Sequence, residues 1–230
     1  MKEFFGSSLF FGVGISLLGY EIGMLLKKKY KLAIFNPLLI SILFVMLVLS
    51  VFRIDYGAYN EGAKYLSYLL TPATVCLAIP LYEQMELLKH NLKAIIIGIT
   101  SGVLTSLVSV LLLCLLFNFN HEQYVTLLPK SITTAIGMGV SEELGGIVTI
   151  TVAVIIITGV VGNVIAETIC KIFHITHPIA KGISIGTSAH AVGTAKALEM
   201  GEIEGAMSSL SIAVSGLLTV VGASLFMHFI

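Results

Sequence analysis

Apolar residues run through this chain in long blocks, without the strict alternation of a half-buried strand or the one-sided stripe of a soluble helix. A helix that crosses a bilayer needs about 20 mostly apolar residues. Residues 4–26, 32–52, 94–117, 146–169 and 206–230 meet that length with few charges. Three further apolar segments are interrupted: residues 65–82 by Pro72 and Pro80, residues 124–140 by Pro129 and Gly137, and residues 182–200 by Gly186 and Gly193. Proline removes a backbone donor and glycine weakens a helix interior, so the pattern predicts broken helices or re-entrant hairpins at these places. The fold class expected is an all-α, polytopic integral membrane protein, with five clean spans plus three broken or re-entrant segments. The polar stretches around residues 55–64 and 171–181 are short connectors. Residues 4–26 read as a first span, because the run is long for a cleaved signal and no small-residue cleavage site follows.

The interrupted segments resemble one another. Ala78-Ile79-Pro80, Ala135-Ile136-Gly137 and Ala191-Val192-Gly193 are each followed, at the same distance, by Glu86-Leu87, Glu143-Leu144 and Glu199-Met200. Each then leads into a full span carrying a small pair, Ser101-Gly102, Thr158-Gly159 or Ser215-Gly216, which implies an internal repeat of about 57 residues. Pro72 aligns with Pro129, and Thr74 with Ser131. The domain reading is one membrane domain over residues 1–230: two N-terminal spans in 1–64, then repeat units 65–121, 122–178 and 179–230. Broken backbone in a bilayer leaves polar groups unpaired unless they line a cavity or bind something. Paired interrupted segments in repeated units are the sequence mark of secondary transporters. The alternative reading is that Pro and Gly only kink helices that pack closely through small residues.

Composition agrees with a membrane protein. Of 230 residues 57% are hydrophobic and 11% charged, against about 25% charged in a soluble domain. Net charge is zero and no basic block is large enough for nucleic acid, which excludes it as a partner. Cys76, Cys114 and Cys170 are solitary and apolar in context, so no disulfide framework, metal site or cofactor is expected. The run Lys27-Lys28-Lys29-Tyr30-Lys31 belongs in the cytoplasm by the positive-inside rule, placing the N-terminus outside. Beyond it the charges conflict. If all three broken segments cross, Lys171 and Lys181 fall outside; other choices move Lys89 and Lys93 out, leaving between five and eight crossings open.

The second and third broken segments are the most polar part of the membrane region. One cation, Lys130, stands beside Ser131, Thr133 and Thr134, and the run from Gly182 to Lys196 carries Thr187, Ser188, His190 and Thr194. On a continuous helix Thr187, His190 and Thr194 form one polar stripe. A half-helix start offers unpaired N–H groups and a positive dipole end to an anion. These groups together suit a small carboxylate; phosphate is the alternative, without an Arg or a phosphate loop to support it. His190 reads either as a substrate ligand and proton carrier, since imidazole titrates near neutrality, or as a neutral ring bonded to backbone. Lys130 and Lys196 read either as site groups or as side chains reaching for an interface. Glu21 and Glu167, within or near spans, are candidates with His190 for proton coupling. No nucleophile motif, metal constellation or nucleotide fingerprint occurs, so an enzyme is not expected.

At these residues the chain resembles a known family. The runs Leu70-Thr-Pro-Ala-Thr-Val-Cys-Leu-Ala-Ile-Pro-Leu, Pro129-Lys-Ser-Ile-Thr-Thr-Ala-Ile-Gly and Gly186-Thr-Ser-Ala-His-Ala-Val-Gly-Thr-Ala-Lys-Ala look like those of the CidB/LrgB family. The resemblance implies a multi-pass protein of the bacterial cell membrane and a small membrane partner of the LrgA/CidA type. It implies two functions: antiholin-like control of murein hydrolase export and autolysis, or transport of small monocarboxylates of the pyruvate and glycolate class. A homo-oligomer is expected by analogy with other carriers built from repeats.

Overall fold

The computed structural model describes residues 10–30 and 35–230, with all of their side chains except those of Leu70, Thr71 and Thr74. The expected spans 4–26 and 32–52 therefore begin outside the described residues, as does Lys31 of the basic run. Among the described residues there are twelve α-helices and no strand. The chain separates into two compact units, one up to Cys76 and one from Leu77 onward.

In the N-terminal unit, α1 (Phe11–Tyr30) and α2 (Pro37–Phe52) lie antiparallel, followed by α3 (Tyr56–Ser67) and α4 (Leu70–Cys76). Asn36 starts α2 by accepting hydrogen bonds from the Leu38 and Leu39 amides at 2.9 and 3.2 Å, and Pro37 takes the first turn, where its missing donor does no harm. The two helices touch through small residues: Gly19 lies on Ser41 and Gly23 on Pro37. Gly12 lies under Tyr59, whose hydroxyl is 2.9 Å from that of Ser16. Lys27, Lys28 and Lys29 form the last turn of α1, where cations complement the helix dipole.

The C-terminal unit begins with two short helices, α5 (Ala78–Glu83) and α6 (Met85–His90), and then holds three helices of 25 residues each: α7 (Leu92–Leu116), α10 (Val148–Ile172) and α12 (Glu202–Phe226). These three are the helices long and apolar enough to cross a membrane among the described residues. They match the expected spans 94–117, 146–169 and 206–230. The chain is a polytopic all-α membrane protein.

Each long helix is preceded in the chain by an interrupted segment. The first divides into α4 and α5 at Leu77. The second divides into α8 (His121–Leu127) and α9 (Thr134–Glu143), with residues 128–133 unwound. The two pieces fold back on each other. The Thr126 hydroxyl accepts from the Ile147 amide at 2.8 Å, the Thr151 hydroxyl donates to the Thr126 carbonyl at 2.9 Å and lies 2.7 Å from the Ser141 hydroxyl, and Gly137 lies beside the Pro129 carbonyl. Residues 121–143 are thus a hairpin whose tip is 130–133. Its return arm ends in a turn at Gly145, whose φ of 80° is open to glycine without strain.

The third segment, α11 (Pro178–Met200), carries a non-helical residue at its centre: His190, with φ 43° and ψ −141°. The chain reverses there. Before the break Gly182 lies on Glu204 and Met207 of α12, and Gly186 on Ser208 and Ser211; after it Thr194 meets Ser208, and Leu198 meets Gly205. Contact thus advances along α12 in the first arm and retreats in the second. Against α10 the order is reversed: Ala189 touches Gly162, and further down Ile185 clusters with Ala166 while Lys196 pairs with Glu167. At about 1.5 Å per residue, arm 178–189 reaches ~18 Å, just past the middle of a ~30 Å hydrocarbon core.

The first hairpin enters where α10 begins and α12 ends, with the Tyr124 hydroxyl donating to the Phe226 carbonyl at 2.9 Å. The second enters where α10 ends and α12 begins, with Lys181 3.8 Å from Glu204. The two hairpins approach from opposite ends and share one turn of α10, where Gly137 on the return arm of the first contacts the Ile155 side chain and His190 at the tip of the second lies 3.0 Å from the Ile155 carbonyl.

Candidate functional site

A cleft of about 880 Å³ lies between α7, the first arm of α11 and the tip of the α8–α9 hairpin. It runs from Asn91 and His177 at one end of α7 to Ser109, Lys130 and Ser131 deeper in the unit. Its α7 wall is a stripe of hydroxyls, Ser101, Thr105 and Ser109 with Ser106, at helical spacing in an otherwise apolar span. Ser101, Thr105 and Ser109 donate to carbonyls three or four residues back at 2.9, 2.7 and 2.6 Å. That bond stores the hydroxyl proton and leaves oxygen lone pairs towards the cleft. The facing wall is Ser184, Thr187 and Ser188 of α11. Both walls approach because Gly98 meets Ile183 and Gly102 meets Thr187; a larger residue at either glycine would push α7 away.

Lys130 sits at the hairpin tip, half-buried. Its Nζ donates to Ser131 Oγ at 2.9 Å, and the Ser106 hydroxyl donates to the same oxygen at 3.1 Å. Ser131 Oγ thereby accepts twice, which leaves its own proton to give away. Among the described residues Lys130 makes no ion pair, whereas Lys171, Lys181 and Lys196 all do. An unpaired ammonium inside a membrane protein is costly unless an anion or water meets it.

The site residues expected from sequence divide into two groups. Lys130, Ser131, Thr187 and Ser188 line the same cleft. Thr133, Thr134, His190 and Thr194 do not line it. Thr133 takes the N-cap position of α9 without a side-chain capping bond, and Thr134 opens that helix. His190 is buried at its hairpin tip with Nε2 3.0 Å from the Ile155 carbonyl. Thr194 is buried against α12, donating to the His190 carbonyl at 3.0 Å and lying 2.7 Å from the Ser208 hydroxyl. The stripe of Thr187, His190 and Thr194 is dissolved by the reversal at His190: one faces α7, one α10 and one α12. The stripe presupposed a continuous helix. Of the coupling candidates, Glu167 is held by Lys171 at 2.9 Å and Lys196 at 3.2 Å, and Glu21 is an exposed residue of α1 in the other unit.

Sequence reasoning missed Ser101, Thr105, Ser106 and Ser109 on α7 and Ser184 on α11. Their spacing in a span was a usable signal. It also missed Glu204, whose buried carboxylate near Lys181 has no local mark in the sequence. A second cavity of about 450 Å³, with Thr158, Val161, Ile165 and Ile185 in its wall, adjoins the cleft across Lys130, Ile175, Ser184 and Ser188, which line both.

The LrgB-like family profile matches residues 16–229. Antiholin-like protein LrgB of Bacillus mycoides (strain KBAB4) and the proteins of the same name in Bacillus cereus (strain B4264) and Bacillus anthracis (strain CDC 684 / NRRL 3495) are similar to this chain. Each is 38% identical over 222 residues, 96% of this chain and 96% of the relative. No solved structure matches.

Proposed function

This chain belongs to the LrgB-like family, and on that premise we propose that it is a secondary carrier of small monocarboxylates in a bacterial cell membrane, working with a partner of the LrgA/CidA type. The observation that carries this reading is Lys130: a cation without an ion pair among the described residues, held at a broken-helix tip on the wall of a hydroxyl-lined cleft. Binding clefts of about 300–1,000 Å³ are typical for small molecules, and the volume here falls within that range. The carboxylate sits on the Lys130 ammonium and the Ser131 proton; Ser106, Thr187 and Ser188 give their protons to Ser131 Oγ and to the Ile183 and Ser184 carbonyls, and so offer acceptors to the rest of the ligand.

The repeat reading supports a carrier as well. Residues 122–178 and 179–230 each comprise a hairpin followed by a long helix, and α10 and α12 run in opposite directions. That is the inverted pair from which many carriers derive their two-sided access. With residues 121–143 and 178–200 as hairpins, Lys89, Lys93, Lys171, Lys181 and Lys196 gather at one end of the unit, while the opposite end carries Glu122, Glu142 and Glu143. Positive-inside bias then assigns the lysine end to the cytoplasm.

The test is uptake of labelled pyruvate and glycolate into proteoliposomes, with and without the partner. Saturable uptake that is abolished by Lys130→Ala, in a protein whose thermal unfolding is unchanged, is the expected result. A second reading, an antiholin-like regulator of murein hydrolase export without transport, is favoured by the name that the relatives carry. It gains the ground if neither preparation takes up either acid while the chain still alters lysis in cells, and if Lys130→Ala leaves lysis untouched.

A further inference from the structure

Four hydroxyls of α7 line the cleft, and three of them give their protons to their own helix: Ser101, Thr105 and Ser109 donate to the carbonyls of Gly98, Ser101 and Thr105. Ser106 does not. Its proton crosses to the tip of the α8–α9 hairpin and reaches Ser131 Oγ at 3.1 Å, although the Gly102 carbonyl stands four residues back on the same helix.

A serine oxygen has two lone pairs and one proton. Ser131 Oγ receives Lys130 Nζ at 2.9 Å on one lone pair and Ser106 on the other, so its proton is left one direction, away from both donors. Ser131 is buried, and among the described residues its hydroxyl has no acceptor of its own. A buried hydroxyl proton without an acceptor is a missing hydrogen bond until a ligand takes it. A hydroxyl that accepts from two donors, one of them an ammonium, is also polarised into a stronger donor. Without Ser106 the second lone pair is released, and the proton is free to turn about the Cβ–Oγ bond.

We propose that Ser106 is a positioning residue of the carboxylate site: by occupying one lone pair of Ser131 it aims the Ser131 proton at the ligand, so that Lys130 and Ser131 present two donors side by side to one carboxylate. This rests on the carrier reading and assigns a residue of another element to its site. Two charge-assisted bonds to one carboxylate add direction as well as strength. Ser106 itself has only lone pairs left for the cleft, and pyruvate has no donor to give them. An effect of Ser106 on pyruvate therefore runs through Ser131.

The experiment is a double-mutant cycle on labelled pyruvate uptake in proteoliposomes, with Ser106→Ala, Ser131→Ala and the pair. Ser106→Ala is expected to raise KM about tenfold, the order of one hydrogen bond to a charged group, with kcat and the thermal transition unchanged. In the Ser131→Ala background the same change is expected to cost nothing more. Ser106→Thr, which keeps the hydroxyl, is expected to keep the KM of the unaltered protein. An unchanged KM in Ser106→Ala, an equal loss in both backgrounds, or Ser106→Thr behaving as Ser106→Ala overturns the proposal and leaves the carrier standing. Should the unaltered protein not take up pyruvate, the same cycle is read as thermal stabilisation of the purified protein by pyruvate. Stabilisation that Ser106→Ala weakens only when Ser131 is present then supports the positioning role while the carrier reading fails; no stabilisation of the unaltered protein overturns both.

Discussion

His190 adopts a positive φ at a hairpin tip, a conformation that holds a non-glycine residue at about 1–3 kcal/mol of strain. Its ring compensates by reaching the Ile155 carbonyl. His190→Ala loses that bond and keeps the strain, whereas His190→Gly loses the bond and relieves the strain. The glycine variant is therefore expected to unfold at the higher temperature of the two, with a difference of about 1 kcal/mol or more. Uptake retained by His190→Gly would remove the imidazole from transport chemistry; loss in both variants, with folding intact, would restore it. Gly186 makes a different demand. A Cβ there would lie 2.5 Å from the Ser208 carbonyl, so Gly186→Leu forces α11 off α12. Overpacking of this kind costs about 1–3 kcal/mol, seen as an earlier thermal transition in detergent. An unchanged transition would mean that the two helices are less closely apposed.

Among the elements, the two hairpins decide how the chain meets the bilayer. Single cysteines at Thr176 and Glu199, in a protein whose three native cysteines have been replaced, are expected to react with a membrane-impermeant reagent from the same face. A cysteine at Glu122 is expected to react from the opposite face. If α11 crossed the bilayer, Thr176 and Glu199 would label from opposite sides. The same comparison tests the repeat, since two hairpins from opposite ends require α10 and α12 to be antiparallel crossings.

At the scale of the whole molecule, the proposed carrier meets a monoanion with a single lysine. A monoanion that travels with one proton carries no net charge and escapes the roughly 2.3 kcal/mol that each charge costs per 100 mV. Uptake is accordingly expected to rise with an imposed inward proton gradient and to ignore a potassium-diffusion potential. Uptake driven by the potential alone would exclude an electroneutral proton partner.

The long apolar blocks at 94–117, 146–169 and 206–230 were legible because the free energy of moving a helix into lipid is a sum over residues adjacent in sequence. The same locality exposed the breaks, since proline, glycine and clustered hydroxyls mark where a helix is weak, and it picked out Lys130 and Ser131. Direction after a break is not local. Whether residues 191–200 continue or return is set by neighbours far along the chain: Gly205 under Leu198, Ser208 beside Thr194, Glu167 beside Lys196. A stripe drawn through Thr187, His190 and Thr194 assumed one helix axis where there are two. The cleft likewise exists only because Gly98 and Gly102 let α7 lie against Ile183 and Thr187. Sequence alone determined the solvent, the weak points and two lysines worth watching, Lys130 and Lys196; tertiary packing decided which arms reverse, that Lys196 pairs with Glu167, and which hydroxyls share a wall with Lys130, because those choices depend on contacts between residues that the chain itself holds apart.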